Sequence, residues 1–97
     1  MKKFSVEGKV WRYQGEGAWH FVYVNEKLSK QVRDFVIAQK KTRSGLVRIE
    51  AKLGKTSWKT SLFATKDGPY LLAIKASVRH AEGIDEGDAV KVSCTLL

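Results

Sequence analysis

The sequence contains little cysteine, proline or methionine, and this scarcity narrows its class. Its 97 residues include one of each. A single cysteine excludes an intrachain disulfide framework and leaves no cysteine cluster for a structural zinc site. We therefore expect a location in the reducing cytoplasm. The single proline and a hydrophobic content of 43% indicate a folded globule rather than a disordered segment.

Long hydrophobic runs are missing as well. No segment approaches the ~20 apolar residues that a membrane-spanning helix needs. The start Met1-Lys2-Lys3-Phe4 resembles the basic beginning of a signal peptide, but Glu7, Lys9 and Arg12 interrupt any apolar core after it. We therefore expect a soluble protein without a membrane partner.

Positive charge dominates the composition. Eighteen Lys and Arg residues stand against ten Asp and Glu, which gives a net charge of +8. Four of the acids lie between Glu82 and Asp88, so the rest of the chain is more basic than the total indicates. Such a surplus attracts polyanions, which include nucleic acid, anionic lipid headgroups and acidic proteins. A basic surface that serves only solubility explains the composition equally well.

Period-two alternation and turn residues predict an arrangement of six strands and two helices. The strands are predicted at 4–13, 19–24, 46–53, 58–63, 70–75 and 89–96. Asn25 is the predicted N-cap of the longer helix, in which Leu28 and Val32 begin the apolar spacing. The shorter helix, 78–82, has Ser77 as its candidate N-cap and Gly83 at the position after its end.

The two halves of the chain share this order of elements. When strand 46–53 is laid over strand 89–96, apolar residues coincide at Val47 and Val90, Ile49 and Val92, Ala51 and Cys94, and Leu53 and Leu96. Further upstream, Val22 and Val24 match Leu72 and Ile74, and Leu28 matches Val78. One half cannot bury its own inner face. We therefore expect one all-β domain over 1–97, a closed or nearly closed barrel of two strand–strand–helix–strand halves at about 1–53 and 54–97, capped by two helices.

Residues 77–92 resemble the half-barrel of AbrB/MazE proteins. The shared pattern is a short helix with a basic residue, then Gly83-Ile84, an acid, Gly87-Asp88 and an apolar–basic–apolar strand. In those proteins two chains intertwine to complete a DNA-binding barrel. Here both halves lie in one chain, so the resemblance implies a barrel that closes as a monomer.

Nearly the whole chain is also similar to a family of uncharacterised bacterial and archaeal domains. The shared motifs lie at 54–62, 67–70 and 83–90. This resemblance implies a double-split β-barrel, or pseudobarrel, of two ββαβ halves. Some members carry a YdeI/OmpD-associated bacteriocin-protection segment, which is absent here. The resemblance therefore also suggests a protein-interaction or stress-protection accessory domain.

Catalytic chemistry has little support in the sequence. His20 and His80 fall in different halves, and no serine or cysteine pairs with either by spacing. Cys94 aligns with Ala51, which predicts a small buried hydrophobe rather than a reactive thiol. The acids of 82–88 lack the ligand spacing of a calcium loop. We expect no enzymatic activity, no cofactor, no metal site and no small-molecule substrate.

Basic and aromatic residues form the candidate binding site. The bases of the longer helix and of the loop after it are candidates for phosphate contacts, although a solvated surface explains them too: Lys27, Lys30, Arg33, Lys40, Lys41 and Arg43. Trp19 and Tyr23 are candidates for stacking bases, with Trp11 and Tyr13 nearby across the hairpin. We favour the alternative in which these aromatics pack under the long helix or fill the barrel ends.

The leading functional hypothesis is a binding module for nucleic acid or another polyanion. The alternative is a protein-interaction or stress-protection accessory, and an enzyme comes third.

Overall fold

The first segment of the chain forms two strands, which pair with different neighbours on either side of Val10. The computed structural model describes residues 2–39, 46–66 and 68–97. Strand β1 (Lys3–Lys9) is followed by Val10, whose N–H donates to the carbonyl of Asp88 at 2.9 Å and whose carbonyl accepts from the N–H of Gly87 at 2.7 Å. Strand β2 (Trp11–Arg12) then pairs with a different strand. The single strand predicted over 4–13 is therefore two strands, because the chain turns to a new partner after Val10.

The remaining elements follow the predicted order. They are β3 (His20–Tyr23), α1 (Glu26–Ala38), β4 (Leu46–Leu53), β5 (Thr56–Phe63), β6 (Leu71–Ala73), α2 (Ala76–Glu82) and β7 (Ala89–Leu96). All strand pairs are antiparallel, in the order β1-β7-β4-β5-β6-β3-β2. Because β1 and β2 belong to one bent segment, the two ends of this order are adjacent in the chain. The sheet therefore curls into a nearly closed barrel, which confirms the expected mostly-β barrel with two helices.

The core fills the inside of the barrel. Strands β4 and β7 alternate between exposed outer and buried inner residues, as a sheet with one solvated face requires. The best buried side chains come from both halves: Val6, Val22, Ile49, Leu62, Leu72 and Val92. Full burial of one such side chain stabilises the fold by about 1.5–3 kcal/mol.

Helix α1 is tied to the strands on either side of it. The side-chain oxygen of Asn25 accepts the N–H of Leu28 at 2.7 Å, which confirms the predicted N-cap. The buried hydroxyl of Ser29 donates to the carbonyl of Val24 at 3.0 Å and accepts the N–H of Tyr70 at 3.1 Å. This hydroxyl therefore joins the end of β3 to the segment before β6.

Helix α2 begins earlier than predicted. Lys75 precedes it with an extended backbone and no capping side chain, so the N-cap predicted at Ser77 is wrong. Its end is as predicted, because Gly83 has φ 64° and the N–H of Ile84 donates to the carbonyl of Arg79 at 2.8 Å.

Strand β6 is shorter than the predicted 70–75, although its flanking residues stay in the ladder. The N–H of Val24 donates to Tyr70 at 2.9 Å, and the N–H of Ile74 donates to His20 at 2.9 Å. Strand β5 begins two residues earlier than predicted.

Within the described ranges, neither helix is long and apolar enough to cross a membrane.

Candidate functional site

Four neighbouring strands carry a surface rich in positive charge. Because Val6, Ile49 and Val92 face inward, the alternate residues of β1, β7, β4 and the first part of β5 face outward. We call this surface the basic face. It carries six bases and two acids: Lys3, Lys9, Arg48, Lys52, Lys59 and Lys91, with Glu7 and Glu50. The surplus of four positive charges gives this surface a positive electrostatic potential.

The charges of the basic face are weakly neutralised. Lys91 Nζ lies 3.6 Å from Glu7 Oε1, and both side chains are about two-thirds exposed (68% and 66%). An exposed ion pair of this kind is worth about 0–1 kcal/mol. No second ion pair on this face occurs within the described ranges. The lysines therefore remain available to an anionic ligand.

Hydroxyl groups lie between these charges. The register aligns Ser5 with Ser93, Ser93 with Lys52, and Lys52 with Ser57, so that one row crosses all four strands. A shallow depression of about 530 Å³ lies over this row and the neighbouring one. Serine and threonine hydroxyls, with lysine, are common partners of phosphate oxygens. The row therefore has the chemistry of a phosphate-contacting surface.

A row of large hydrophobic side chains borders the basic face. A second row crosses β4, β5, β6 and β3, because Leu46 pairs with Phe63, Phe63 with Leu71, and Leu71 with Tyr23. Arg48 borders this row, two positions from Leu46 on the same strand. Its Nη1 donates to the hydroxyl of Ser61 at 3.0 Å. The apolar row and the basic face are therefore parts of one continuous outer surface.

An aromatic groove lies beside the apolar row. It has a volume of about 350 Å³ and is lined by Trp11, Tyr13, Trp19, Phe21, Phe63 and Leu71. Trp19 stacks on Phe21 with ring centroids 6.0 Å apart and an interplanar angle of 5°. Phe63 meets Trp19 edge-on at 6.3 Å. Such contacts add about 0.5–1.5 kcal/mol per pair beyond burial, so the groove walls are mutually supported.

The exposure of the aromatic side chains contradicts the expectation that they pack under the long helix or fill the barrel ends. Tyr13, Trp19 and Tyr23 are 50%, 49% and 51% exposed. They therefore do not pack as a layer under α1 or fill the barrel, and they stand on its outer surface. Trp11 and Phe21 are more covered, because they lie within the aromatic cluster itself.

The β2–β3 hairpin loop holds two of these rings in place. A Cβ at Gly15 would overlap the Tyr13 ring, and a Cβ at Gly17 would come within 2.8 Å of Trp19 Nε1. A side chain at Gly15 would therefore displace the Tyr13 ring, and Gly17 also has φ 90°, a conformation that favours glycine. Ala18 adopts φ 49°, which costs a residue with a side chain about 1–2 kcal/mol. A hydrogen bond of 2.8 Å between His20 Nδ1 and the carbonyl of Ala18 holds this turn.

One polar atom in the groove wall is unsatisfied. The indole Nε1 of Trp11 is buried and has no hydrogen-bond partner among the described residues. A buried donor in this state costs about 1–3 kcal/mol. The groove wall therefore carries one local cost at Trp11, in addition to the backbone strain at Ala18 in the hairpin loop.

The bases predicted from the sequence are only partly described. Lys27 and Lys30 are exposed on α1. Arg33 is half-buried, because its Nη2 donates to the carbonyl of Gly68 at 3.1 Å and its guanidinium carbon lies 5.2 Å from the centre of the Tyr70 ring. Arg33 therefore has a structural role whether or not it contacts phosphate. Three further candidates lie outside the described residues: Lys40, Lys41 and Arg43.

The basic face was not among the sequence candidates. Its bases are separated in the sequence, and they come together only through strand order. The available signal was the alternation in β4, in which Arg48 and Lys52 occupy the positions between buried residues. That alternation shows which face of the strand each side chain occupies, but it does not show which strands lie next to it in the barrel.

Features that suggest catalysis or metal binding are weak. Burial raises the pKa of the Cys94 thiol to about 12, so this thiol is protonated at neutral pH. In the described part of the chain, no three His, Cys, Asp or Glu side chains cluster closely enough to hold a metal ion.

The fold and its outer surface define a small antiparallel β-barrel domain with adjoining basic and aromatic surfaces. Residues 7–94 match the model of a family described as a domain of unknown function, DUF1905, and the chain belongs to that family. This confirms the resemblance to an uncharacterised domain family. No curated protein matches the chain.

Proposed function

We propose that the protein is a binding module for nucleic acid, which it holds by its phosphates on the basic face. The observation that carries this proposal is the surplus of four positive charges around a row of hydroxyl groups. Lysine, arginine, serine and threonine are the side chains that most often contact phosphate and sugar. Because such contacts carry no sequence information, binding is expected to be largely independent of base sequence.

The proposal includes a finer architecture and a cellular context. The barrel is a double-split pseudobarrel of two ββαβ halves, each comparable to an AbrB/MazE half-barrel, and the protein acts as a cytoplasmic monomer. The alignment of strands 46–53 and 89–96 supports this architecture. A monomer lacks the twofold symmetry with which dimeric proteins read palindromic DNA sites. Light scattering at micromolar concentration should give the mass of one chain, and an obligate dimer with exchanged strands would contradict the monomer.

A titration of labelled oligonucleotides against salt tests the binding proposal. The variant Lys52→Ala/Lys59→Ala should flatten the slope of log affinity against log salt by about 1–2 units and weaken all sequences alike. Its matched control is Lys27→Ala/Lys30→Ala, which removes the same charge from exposed positions on α1. We expect the control to leave the slope close to that of the wild-type protein.

Two outcomes oppose the proposal. Non-specific electrostatic binding is strong at ~50 mM salt, so the absence of any complex at that salt would leave the basic face as a solubility device. The protein-interaction or stress-protection alternative would then come first. If the α1 control changes the slope and the sheet variant does not, binding is real but the basic face is the wrong site.

A further inference from the structure

We infer that the aromatic groove stacks an unpaired base, and that the protein therefore prefers single-stranded nucleic acid over duplex. This inference rests on the proposed function, because the basic face supplies the contacts to the phosphates of the same strand. The inference adds to the proposed function a preference for single strands, the groove residues that cause this preference, and a low dependence on base sequence.

The chemistry of the groove suits a flat ring system. Five of its six lining residues are aromatic: Trp11, Tyr13, Trp19, Phe21 and Phe63. Stacking on aromatic rings tolerates every base, because each base has a π-face. The polar side-chain atoms of the lining are the two indole N–H groups and the Tyr13 hydroxyl, and Trp11 Nε1 is buried. The groove therefore offers few groups for reading base edges, and we expect little sequence preference.

Charge complementarity identifies the occupant as a nucleotide rather than a neutral apolar group. Phe63 reaches the groove from β5, whose earlier residues Ser57 and Lys59 belong to the basic face. Arg48, another base of the basic face, lies two positions from Leu46, where the apolar row beside the groove begins. A nucleotide joins an aromatic ring to an anion, and this outer surface places aromatic rings beside a surplus of cations.

The groove is organised before any ligand binds. Gly15 and Gly17 bring the loop backbone against the rings of Tyr13 and Trp19, and both side chains remain half-exposed. Ring positions that are fixed in advance reduce the ordering cost of binding. The uncovered part of the Trp19 ring is therefore a ready surface for stacking.

The geometry also explains why a duplex is disfavoured. Along β5, Ser57 and Phe63 are six residues apart, a distance of about 20 Å at the rise of a strand. One single strand that contacts both must span several nucleotides, which is within the range of about 4–16 nucleotides that one OB-fold binds. In a duplex the bases stack on each other and are not available to the groove. A duplex therefore engages the basic face alone.

The test compares Trp19→Ala with Ile37→Ala, which removes an exposed apolar side chain (60%, against 49% for Trp19) from α1. The probes are labelled 12-nucleotide oligo(dT), a mixed-sequence strand and the matching duplex. Trp19→Ala should weaken both single strands about tenfold or more and leave the duplex and the salt slopes unchanged. Trp19→Phe should restore most of the single-strand affinity, because it keeps a stacking ring. Ile37→Ala should change nothing. Tryptophan fluorescence should be quenched by the single strands in the wild-type protein, and less so in Trp19→Phe.

The outcomes separate this inference from the proposed function. Equal affinity for strand and duplex, unchanged in Trp19→Ala, would overturn the stacking inference and leave phosphate binding intact. No complex with any of the three probes at ~50 mM salt would overturn the proposed function itself. A protein captured after nuclease treatment by the wild-type chain but not by Trp19→Ala would assign the groove to a protein partner and overturn the inference. Circular dichroism of each variant checks that it is folded.

Discussion

Ala51 of β4 and Cys94 of β7 lie directly opposite each other across an antiparallel strand pair. They are also the positions that coincide when strand 46–53 is laid over strand 89–96. Val22 and Leu72, another matched pair, face each other in the same way between β3 and β6. Matched residues that face each other are what a twofold relation between two halves requires. The internal repeat stays a prediction, which superposition of residues 70–96 on 19–53 checks.

An engineered cysteine tests this register. The N–H of Leu97 donates to the carbonyl of Arg48 at 3.1 Å, so alternation makes Ala51–Cys94 a non-hydrogen-bonded pair with Cα atoms about 4.5 Å apart. That spacing suits a disulfide. Ala51→Cys should therefore form a bond with Cys94 during oxidative refolding and gain about 2–4 kcal/mol of stability. Non-reducing electrophoresis detects the disulfide, and denaturant unfolding measures the gain in stability. Ala73→Cys is the control, because Phe21 lies opposite that residue. A fully reduced Ala51→Cys protein would contradict the register.

The pH dependence of Cys94 has a defined sign. Burial raises the pKa of its thiol from 9.0 to about 12, so the folded protein keeps the proton where the unfolded chain loses it. The stability that this thiol contributes is complete below pH 9 and is lost as the pH rises toward 12. Wild-type protein should therefore lose stability relative to Cys94→Ala over that range, as denaturant midpoints show. Native protein should label slowly with a thiol reagent at pH 8, and fast labelling would refute the buried position.

Gly54 and Gly83 have nearly equal φ angles but different surroundings. Substitution at each therefore distinguishes the cost of backbone strain from the cost of a steric clash. Gly54 has φ 60° and Gly83 has φ 64°. An added Cβ has nothing within 4 Å at Gly83, but at Gly54 it would meet the carboxylate of Glu82, which accepts a hydrogen bond of 2.6 Å from Thr56. Gly83→Ala should cost about 1–2 kcal/mol, and Gly54→Ala should cost about 1 kcal/mol more. Thermal unfolding measures both, and Glu82→Ala should remove the excess. Equal costs would argue against the contact between the turn and α2.

Arg33 should matter more for stability than for binding. Its hydrogen bond to Gly68 and its position over Tyr70 together contribute about 1–2 kcal/mol. Arg33→Ala should lower the midpoint of urea unfolding accordingly. The control Lys30→Ala, at an exposed position of the same helix, should stay within about 0.5 kcal/mol of the wild-type protein. An Arg33→Ala protein of unchanged stability but a flattened salt slope would return this residue to the phosphate-binding set.

The loop bases give a competing site that experiment can weigh. If Lys40, Lys41 and Arg43 contact phosphates, their replacement by alanine should flatten the salt slope by about 2–3 units. The variant Lys52→Ala/Lys59→Ala is the comparison, measured with the same oligonucleotides. Stability should remain unchanged in the triple-alanine variant, because the sequence predicts a polar loop at these positions. A loop variant with an unaltered slope would leave the basic face as the favoured site.

Local patterns predicted the parts of the fold that depend on neighbouring residues. Strands 46–53 and 89–96 were predicted to the residue, because their alternation is uninterrupted. The Asn25 cap and the turn at Gly83 were also correct, since each depends on a single backbone conformation. The break at Val10 was missed, because Gly87 and Asp88 from the far end of the chain set it.

For the proposed binding surface, the sequence alone determined the charge surplus, the aromatic segment and the direction of each strand residue. Only the tertiary structure decided which of these residues are neighbours. Period-two alternation is a local property of the backbone, whereas strand order and register depend on closing a barrel between distant segments. Trp19 and Phe63 therefore line one groove although 44 positions separate them, and Arg48 borders that groove's apolar row. The barrel leaves the rings of Trp11, Trp19 and Tyr23 on its outer surface, because the alternate positions of the same segments, Val10, Val22 and Val24, are the ones that enter the core.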